Sequence, residues 1–460
     1  MMFRDTIAAI ATPPGVGGIS VIRISGPDAE NIALQIFSPL PPHNFHSHHL
    51  YHGQIVSPET KELLDEVLLT LFRGPHSFTG EDTLEISCHG GALIAQTLLE
   101  AVLRAGARPA APGEFTKRAF LNNRLDLAQA EAVNDLIKAQ TGKGLKAAFN
   151  RLQGGLSSQI QEIREELLDM VAAIEAALDF TAEEGMGETA DDHILKINRV
   201  IDKITSLVAT YKRGKIERLG FGVVIAGAPN VGKSSLLNRL LGGKRAIVSS
   251  TPGTTRDFIE ETADMEGIPV RLTDTAGLRV PQDDIEKEGI AFLWEKADSA
   301  DAIIFLLDAS REITTDDREL LKKISGKKVL LVFNKSDLPP RADEKSLTGL
   351  LPEGLSPALR ISAKYGEGID ILTAAIRKLA VNTEAGEAPS ATIAHSHQKT
   401  SLENAKECLS RAASGLVNGM PAEIVALEIR EALDFIGEIV GKTSNEDILN
   451  RIFSKFCIGK

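Results

Sequence analysis

Short apolar runs separated by turn residues predict a mixed α/β fold at the start of the chain. We expect strands at residues 6–11, 19–24, 66–72 and 84–87. Apolar residues recur every three to four positions at 28–37 and 91–105, which predicts two helices. The buried face of the second helix is expected to comprise Leu93, Ile94, Leu98 and Val102. The glycine-rich segment at 13–18 has neither GxGxxG spacing nor a following helix, so we interpret it as a turn between strands.

Long amphipathic helices are predicted on both sides of the middle of the chain. From 115 to about 213 the apolar positions keep helical spacing, and the repeat from Leu152 to Leu178 lasts for seven turns. A break is expected at 185–188. The same periodicity returns at 397–413, 422–440 and 445–453, after a small, polar linker at 384–390. Helices of this length are typical of a bundle.

Between these helical regions, short apolar strands alternate with helices. Strands are predicted at 221–226, 269–273, 329–333 and 359–361, and a last helix at 369–379. Because helices precede and follow this module, the simplest arrangement inserts it into a discontinuous helical domain. The predicted fold is therefore multidomain, with α/β and all-α parts. We expect an N-terminal α/β domain at 1–119, helical parts at 120–215 and 382–460, and the inserted module at 216–381.

Composition restricts the classes of protein and of partner. The net charge of −12 disfavours indiscriminate nucleic-acid binding, so an RNA partner must be held by a local patch or by a second protein. The three cysteines are too few and scattered for a disulfide framework. No stretch reaches the apolar length of a membrane span and no signal peptide is evident. A cytoplasmic protein without a membrane partner is expected.

The chemistry begins at residues 227–234, which read GAPNVGKS after a strand and before a helix. In such a phosphate loop the backbone N–H groups point into one concavity and the helix N-terminus adds positive potential. Lys233 is expected to reach the β- and γ-phosphates and Ser234 to ligate Mg²⁺. A chance glycine turn is disfavoured because the strand and the helix lie where the motif requires them.

Four further motifs follow in order: GTTRD at 253–257, DTAG at 274–277, NKSD at 334–337 and SAK at 362–364. The first two would hold Mg²⁺ and sense the γ-phosphate. Asp337 can accept hydrogen bonds from N1–H and the amine of guanine, so the site should select GTP. The residues expected to contact the nucleotide and its ions are Asn230, Val231, Gly232, Lys233, Ser234, Ser235, Ser249, Thr254, Thr255, Asp274, Thr275, Ala276, Gly277, Asn334, Lys335, Asp337, Ser362, Ala363 and Lys364.

Two features distinguish this module from Ras-type GTPases. Leu278 stands where those proteins have a water-orienting glutamine, and a leucine cannot polarise water. Glu286 is our candidate for that role, with a solvated acidic helix start as the alternative. Asn230 in the phosphate loop could cage a monovalent cation with carbonyls of 249–252, which would offset transition-state charge. A loop-stabilising asparagine is the alternative.

The motifs together resemble the MnmE (TrmE) family of bacterial tRNA modification GTPases. Besides 227–234, 246–257 and 274–279, the resemblance is carried by ATPPG at 11–15, SFTGED at 77–82, PGEF at 112–115, LDLAQAEA at 125–132 and FCIGK at 456–460. It therefore covers essentially the whole chain. The family implies an N-terminal folate-binding domain, a discontinuous helical domain and an inserted Ras-like P-loop GTPase domain.

The resemblance also implies ligands for specific residues. Glu286, Lys233 and Arg256 would be catalytic. K⁺ would be held by Asn230, Ser249, Thr251 and Thr254, and Mg²⁺ by Ser234 and Thr255. A one-carbon tetrahydrofolate, either 5-formyl- or 5,10-methylenetetrahydrofolate, would contact Arg23, Glu85, Arg124 and Lys460. Cations suit the glutamate tail of a folate and a carboxylate suits its pterin N–H groups.

The family implies a function and partners as well. The protein would be a homodimer that acts on the wobble uridine of tRNA, in a heterotetramer or larger complex with the FAD-dependent protein GidA (MnmG). K⁺-dependent association of the GTPase domains would activate hydrolysis. The competing hypothesis is a ribosome-assembly or RNA-chaperone GTPase, although the C-terminal region lacks a KH-type GXXG loop. Cys457 could be a nucleophile or a structural thiol, and a histidine-rich segment at 43–52 is interpreted as a solvated loop.

Overall fold

The computed structural model describes residues 5–41, 44–179, 189–242, 246–247, 260–274, 300–324, 328–347, 358–381, 391–443 and 446–459. Two compact units divide the chain. One comprises Met1–Asn134, Arg151–Ile204 and Thr400–Lys460, and the other comprises Asp135–Asn150 and Thr205–Lys399. The domain boundaries drawn from the sequence stay a prediction.

The N-terminal sheet has the strand order β3-β4-β5-β6-β2-β1-β7. Its strands are β1 (Ile7–Ile10), β2 (Ile19–Ser25), β3 (Phe37–Ser38), β4 (Leu50–Val56), β5 (Leu63–Phe72), β6 (Thr83–His89) and β7 (Arg108–Pro109). Neighbouring strands are antiparallel, apart from the parallel β1–β7 pair. Helices α1 (Ala29–Ile36) and α2 (Ala92–Arg104) belong to the same hydrophobic core as the sheet, which leaves polar side chains such as Arg23 on the opposite face.

Two expectations for this domain need correction. Leu93 is 82% exposed, so its assignment to the buried face of α2 is wrong. It lies one residue before Ile94, and successive helical residues turn by about 100°. The predicted strands also omit β4, whose His52 and Gly53 weaken its apolar alternation. A Cβ on Gly53 would lie 2.5 Å from Cζ of Phe37, so the glycine makes room for that ring.

The following helical region is divided into shorter helices than the periodicity suggests. They are α3 (Glu114–Leu121), α4 (Leu127–Lys138), α5 (Gly142–Leu152), α6 (Gly155–Asp179), α7 (Ala190–Ala209) and α8 (Tyr211–Leu219). The uninterrupted repeat predicted from Leu152 is wrong, because Gly154 has φ +91° and separates α5 from α6. At the start of α4, Asp126 and Gln129 each accept the other's backbone N–H, which caps the helix.

The second sheet has the order β14-β13-β12-β8-β11-β10-β9. Its elements in chain order are β8 (Phe221–Ala226), α9 (Lys233–Gly242), β9 (Ala246–Ile247), β10 (Glu260–Met265), β11 (Ile268–Asp274), β12 (Ala302–Asp308), α10 (Thr315–Ile324), β13 (Val329–Asn334), β14 (Leu359–Arg360) and α11 (Ile369–Val381). From β14 to β11 the strands are parallel, and β10 and β9 continue antiparallel. Every residue of β8, β12 and β13 is buried, as expected for parallel strands covered on both faces.

The chain ends in α12 (Ser396–Val417), α13 (Ala422–Val440) and α14 (Glu446–Phe453). Helix α13 packs against α6. The end of the chain packs on the first unit, where Phe453 and Phe456 join Leu127 and Ala130 in one cluster. None of the described helices is long and apolar enough to cross a bilayer.

Candidate functional site

The predicted phosphate loop leaves the carboxyl end of the central strand of the second sheet. Strand β8 lies between β11 and β12, and the chain continues first to the β11 side and later to the β12 side. In open α/β sheets, ligands bind at such a change of direction, outside the carboxyl ends of the strands. Residues 227–232 and the first turn of α9 therefore lie where the fold favours a ligand.

Glycine is required at two positions of this loop. Gly227 has φ +152°, and a Cβ there would lie 2.3 Å from the carbonyl oxygen of Leu306. Gly232 has φ +100°, and its Cβ would lie 2.3 Å from Nδ2 of Asn334. Asn230 itself adopts φ +62°, a left-handed conformation that asparagine tolerates better than most residues. The loop is thus held in its turn by close contacts with β12 and β13.

Lys233 begins α9 and folds back over the loop. Its ammonium donates to the carbonyl oxygens of Gly227 and Ala228, both at 2.9 Å, and the residue is only 9% exposed. Ser234 and Ser235 follow in the first helical turn and are exposed, as is Asn230. The polar groups expected to meet phosphate and metal ions therefore face solvent at one end of α9, beside a positioned cation.

The predicted guanine pocket is assembled by Asn334 at the end of β13. Its Nδ2 donates to the carbonyl oxygen of Val231 at 2.8 Å, and its Oδ1 accepts the N–H of Ala363 at 2.9 Å. Ser362 donates to Oδ1 of Asp337 at 2.6 Å. One buried amide thus connects the phosphate loop to the SAK segment, and a buried hydroxyl orients the carboxylate expected to select guanine.

Lys335 lies next to this amide in a left-handed conformation, with φ +64°. Its ammonium donates to Oδ2 of Asp308 at 2.6 Å. Burial alone would raise the pKa of the Asp308 carboxyl, but hydrogen bonds from Lys335 and Ser310 outweigh it and leave the pKa below its ordinary value. The ion pair connects the ends of β12 and β13 beneath the pocket.

Arg239 is a site residue that the sequence analysis missed. From α9 its Nε donates to the carbonyl oxygen of Ala363 at 3.2 Å, and its Nη2 donates to that of Lys364. An arginine six residues after the phosphate-loop lysine belongs to no motif, so nothing in the sequence marks it. The helix that starts at the phosphate loop therefore also supports the SAK segment.

The switch residues lie outside the described part of the chain. These are Ser249, Thr251, Thr254, Thr255, Arg256, Thr275, Ala276, Gly277, Leu278 and Glu286, together with Lys460. Asp274 is the last residue of β11. The roles expected of them remain predictions.

A second group of predicted site residues lies on the face of the N-terminal sheet opposite α1 and α2, which is partly covered by Phe78 and Phe115. Arg23 and Glu85 are paired across β2 and β6, with Nε of the arginine 2.8 Å from Oε1 of the glutamate. The guanidinium carbon lies 5.1 Å from the ring centroid of Phe78 and 5.9 Å from that of Phe115. A cation and a carboxylate thus meet beside the half-buried ring of Phe78, with the fully buried ring of Phe115 beneath them.

The loop that carries Phe78 also contacts Arg124. A Cβ on Gly80, which has φ +79°, would lie 3.1 Å from Cγ of Arg124. The C-terminal tail runs close by on the same unit, since Gly113 donates to the carbonyl oxygen of Cys457 at 3.3 Å. Gly459 lies so near β1 that a Cβ would come within 2.4 Å of the carbonyl oxygen of Ile10. The tail therefore ends against the edge of the sheet that carries Arg23.

A buried ion network supports this loop. Arg118 is 0% exposed and donates to Glu81 at 3.1 Å and to the carboxylates of Asp5 and Glu114. Burial would raise the pKa of Glu114, but hydrogen bonds from Arg108 and the Ala111 N–H keep it below its usual value. The hydrogen bond from the buried guanidinium of Arg118 to Glu81 helps to hold the 77–82 loop in place.

Comparison with known proteins identifies the family. Two family models match the chain: "MnmE helical domain" over residues 127–457 and "GTP-binding protein TrmE N-terminus" over residues 6–124. The tRNA modification GTPase MnmE of Syntrophus aciditrophicus is 49% identical over 463 residues, which cover 100% of both chains. This chain belongs to the MnmE family. The MnmE protein of Natranaerobius thermophilus is 45% identical, again over 100% of both chains.

Among solved structures, the G domain of T. maritima FeoB is 28% identical over 35% of this chain and 98% of that one. Because the TM-score of this match is 0.27, the description of the fold rests on the sheet order given above. Membership of the MnmE family confirms the predicted fold class, with its α/β, helical and P-loop GTPase parts. It also confirms the prediction of a GTP-binding GTP hydrolase of tRNA modification.

Proposed function

We propose that this chain is a K⁺-activated GTPase that, together with the flavoprotein GidA (MnmG), adds an aminomethyl or carboxymethylaminomethyl group to C5 of the wobble uridine of tRNA. The observation that carries the proposal is the full-length identity of 49% to a tRNA modification GTPase. The phosphate loop and the Asn334 bridge supply a geometry suited to a guanine nucleotide.

In the proposed cycle the chain's own residues hold and read GTP. Lys233 exchanges the carbonyl oxygens of Gly227 and Ala228 for phosphate oxygens, while loop N–H groups surround the β-phosphate. Asp337, oriented by Ser362, accepts the two N–H groups of guanine. We assign Glu286 to the attacking water, with Arg256 beside the phosphates.

The residues described at the metal positions fit the ions. Ser234 is exposed at the start of α9, next to Lys233, and its hydroxyl would hold Mg²⁺ together with Thr255. Asn230 offers an exposed amide oxygen on the phosphate loop, a hard ligand suited to K⁺ with Ser249, Thr251 and Thr254. K⁺ would supply positive charge beside the phosphates, as an arginine finger does elsewhere.

The polar groups on the face of the N-terminal sheet opposite α1 and α2 fit a one-carbon tetrahydrofolate. Arg23 and Arg124 would meet the carboxylates of the folate, and Glu85, which pairs with Arg23, would accept pterin N–H groups. The half-buried ring of Phe78 provides an apolar wall beside Arg23. We include Lys460 because Gly459 lies against β1 of this sheet. The folate would donate the methylene carbon.

We further propose that the chain acts as a homodimer and assembles with GidA (MnmG) into a heterotetramer or a larger complex in the cytoplasm. GTP hydrolysis would drive association of the GTPase domains and a conformational change. It would not itself supply chemistry on the base.

Nucleoside mass spectrometry of tRNA from a deletion strain tests this function. Loss of the C5 modification, its return with the wild-type gene, and its absence with Lys233→Ala are expected. Arg23→Met should also fail to restore the modification while the purified variant keeps GTP turnover. Equal amounts of the C5-modified wobble uridine in the deletion strain and its parent would exclude the proposed function.

A further inference from the structure

The sequence contains a long segment without acidic residues. Between Asp135 and Glu162 there are four basic residues, Lys138, Lys143, Lys146 and Arg151, and no aspartate or glutamate. In a chain with net charge −12 such a segment is a local exception. An RNA partner of an acidic protein needs a positive patch of this kind, since phosphate contacts dominate affinity.

Helix α5 presents this segment with its charged and apolar residues on one exposed arc. Leu145 is 50% exposed and Phe149 is 49% exposed, and they lie one turn apart. Lys143, Lys146 and Asn150 continue the same exposed arc. Gly144, Ala148 and Arg151 are buried on the opposite side. One face thus combines cations with an aromatic ring and an aliphatic side chain.

The packing of α5 explains why this face points outward. The other side of the helix lies so close to α8 that a Cβ on Gly144 would come within 2.8 Å of the Glu217 carbonyl oxygen. Thr141 caps the helix by accepting the Gly144 N–H at 3.1 Å. The alkyl chain of Lys143 lies over the β10–β11 turn, 2.8 Å from where a Cβ on Gly267 would be. The lysine is held at its stem while the residue stays exposed.

Two acidic side chains beside the arc form ion pairs with arginines, and Asp264, at the β10–β11 turn under Lys143, accepts the N–H of Gly267. Glu217 accepts a hydrogen bond from Arg213 at 2.9 Å. Glu266, in the turn under Lys143, forms an ion pair with Arg377. Because Glu217 and Glu266 are compensated by arginines, they reduce the positive charge of the α5 lysines less than unpaired carboxylates would.

We propose that the exposed arc of α5, formed by Lys143, Leu145, Lys146, Phe149 and Asn150, is a contact surface for the tRNA. The lysines take backbone phosphates, and Phe149 stacks on an unpaired base, an arrangement that tolerates any base sequence. Cations interleaved with an exposed aromatic ring match the alternation of phosphates and bases in RNA, which favours the tRNA over a protein partner. This inference rests on the proposed function, because it assigns a surface to the tRNA that the function requires.

Binding of the full chain to a tRNA transcript with an unmodified wobble uridine tests the surface. For the double variant Lys143→Glu with Lys146→Glu we expect the Kd for tRNA to rise by about tenfold or more. The magnitude of the slope of log binding constant against log salt concentration should decrease by about 1.5. The matched control is Lys322→Glu with Lys323→Glu on α10, which changes net charge equally. The control should alter Kd by less than about twofold.

The aromatic part of the surface is tested separately. Phe149→Ala should weaken binding by roughly fivefold without changing the salt slope, Phe149→Trp should restore it, and Leu195→Ala, at another exposed apolar residue, should have no effect. GTP turnover and thermal unfolding should be unchanged in every variant.

Three outcomes would overturn the inference. The first is an equal loss of tRNA affinity in the α5 lysine pair and in the α10 control pair. The second is the absence of measurable tRNA binding by the wild-type chain. The third is an α5 variant that still binds tRNA but no longer binds the flavoprotein. In each case the nucleoside assay of the deletion strain still reports on the proposed function independently.

Discussion

Nε of Arg239 donates to the carbonyl oxygen of Ala363 across 3.2 Å. The arginine belongs to the helix that begins at the phosphate loop, whereas the alanine belongs to the segment expected to contact the guanine oxygen. Helix α9 therefore supports both ends of the nucleotide site. Movement of either end is resisted by the same rigid element, which should slow nucleotide release.

Arg239→Gln tests this role of α9. Loss of the charged donor to Ala363 and Lys364 should speed GDP dissociation by roughly tenfold, since a hydrogen bond from a charged group contributes about 1.5–3 kcal/mol. Stopped-flow release of a fluorescent GDP measures the rate. Lys322→Gln on α10 is the control for loss of one surface charge in the module. An unchanged release rate would mean that the SAK segment holds its position without α9.

Asp337→Asn should change which base is bound. An amide in place of the carboxylate donates one hydrogen bond where it formerly accepted, so guanine loses a partner and xanthine gains one. Affinity for GTP should fall by about 100-fold, and xanthosine triphosphate should become the preferred nucleotide.

Competition binding with both nucleotides measures this preference. Ser362→Ala is the matched control, because it removes the hydroxyl that orients Asp337 without removing the carboxylate. It should weaken GTP binding and leave the base preference intact. If Asp337→Asn retained its preference for GTP, the base pocket would have to lie elsewhere.

Local sequence motifs were sufficient to predict the phosphate loop, because close backbone approach at Gly227 and Gly232 admits only glycine. Arg239 escaped prediction for the opposite reason: its contact with Ala363 joins residues 124 positions apart, and neither residue type is demanded by the local chain. The acid-free run that α5 exposes was visible in the sequence, but the exposure of Phe149 was not, since a helical period does not show which face packs.

The N-terminal domain shows a second limit. Leu93 is expected on the core face, yet it is 82% exposed because it is rotated by about 100° from Ile94, which packs against the core. Strand β4 was hidden by Gly53, which reads as a turn residue and in fact accommodates the ring of Phe37. For β4, tertiary packing decides against the local pattern.

The Asp308–Lys335 pair predicts how stability depends on pH. The pKa of Asp308 is lower in the folded chain than its unfolded value near 3.9, so its stabilisation is present above that value. It is lost as the pH falls through the folded pKa. Asp308→Asn should therefore lower the free energy of unfolding at pH 7 by about 1–3 kcal/mol and flatten its decline below about pH 5.

Urea unfolding of the full chain between pH 3 and 7 measures this difference. Asp316→Asn, at an exposed position in the first turn of α10, is the control carboxylate. If the free energies of unfolding of wild type and Asp308→Asn changed in parallel with pH, the Asp308–Lys335 pair would not contribute to the pH dependence of stability.

Replacement of Na⁺ by K⁺ at constant ionic strength should raise GTP turnover by roughly tenfold or more, because a cation fixed beside the phosphates stabilises transition-state charge. Asn230→Gly should abolish the difference between the two salts. Glycine accepts φ +62° without strain, so the variant loses the amide oxygen and keeps the shape of the loop. Turnover in KCl and NaCl, with GDP affinity as the control for loop integrity, checks the prediction. Equal rates of the wild type in both salts would remove the cation role of Asn230, whereas K⁺ stimulation that survives in Asn230→Gly would assign the ion to carbonyl groups of the chain alone.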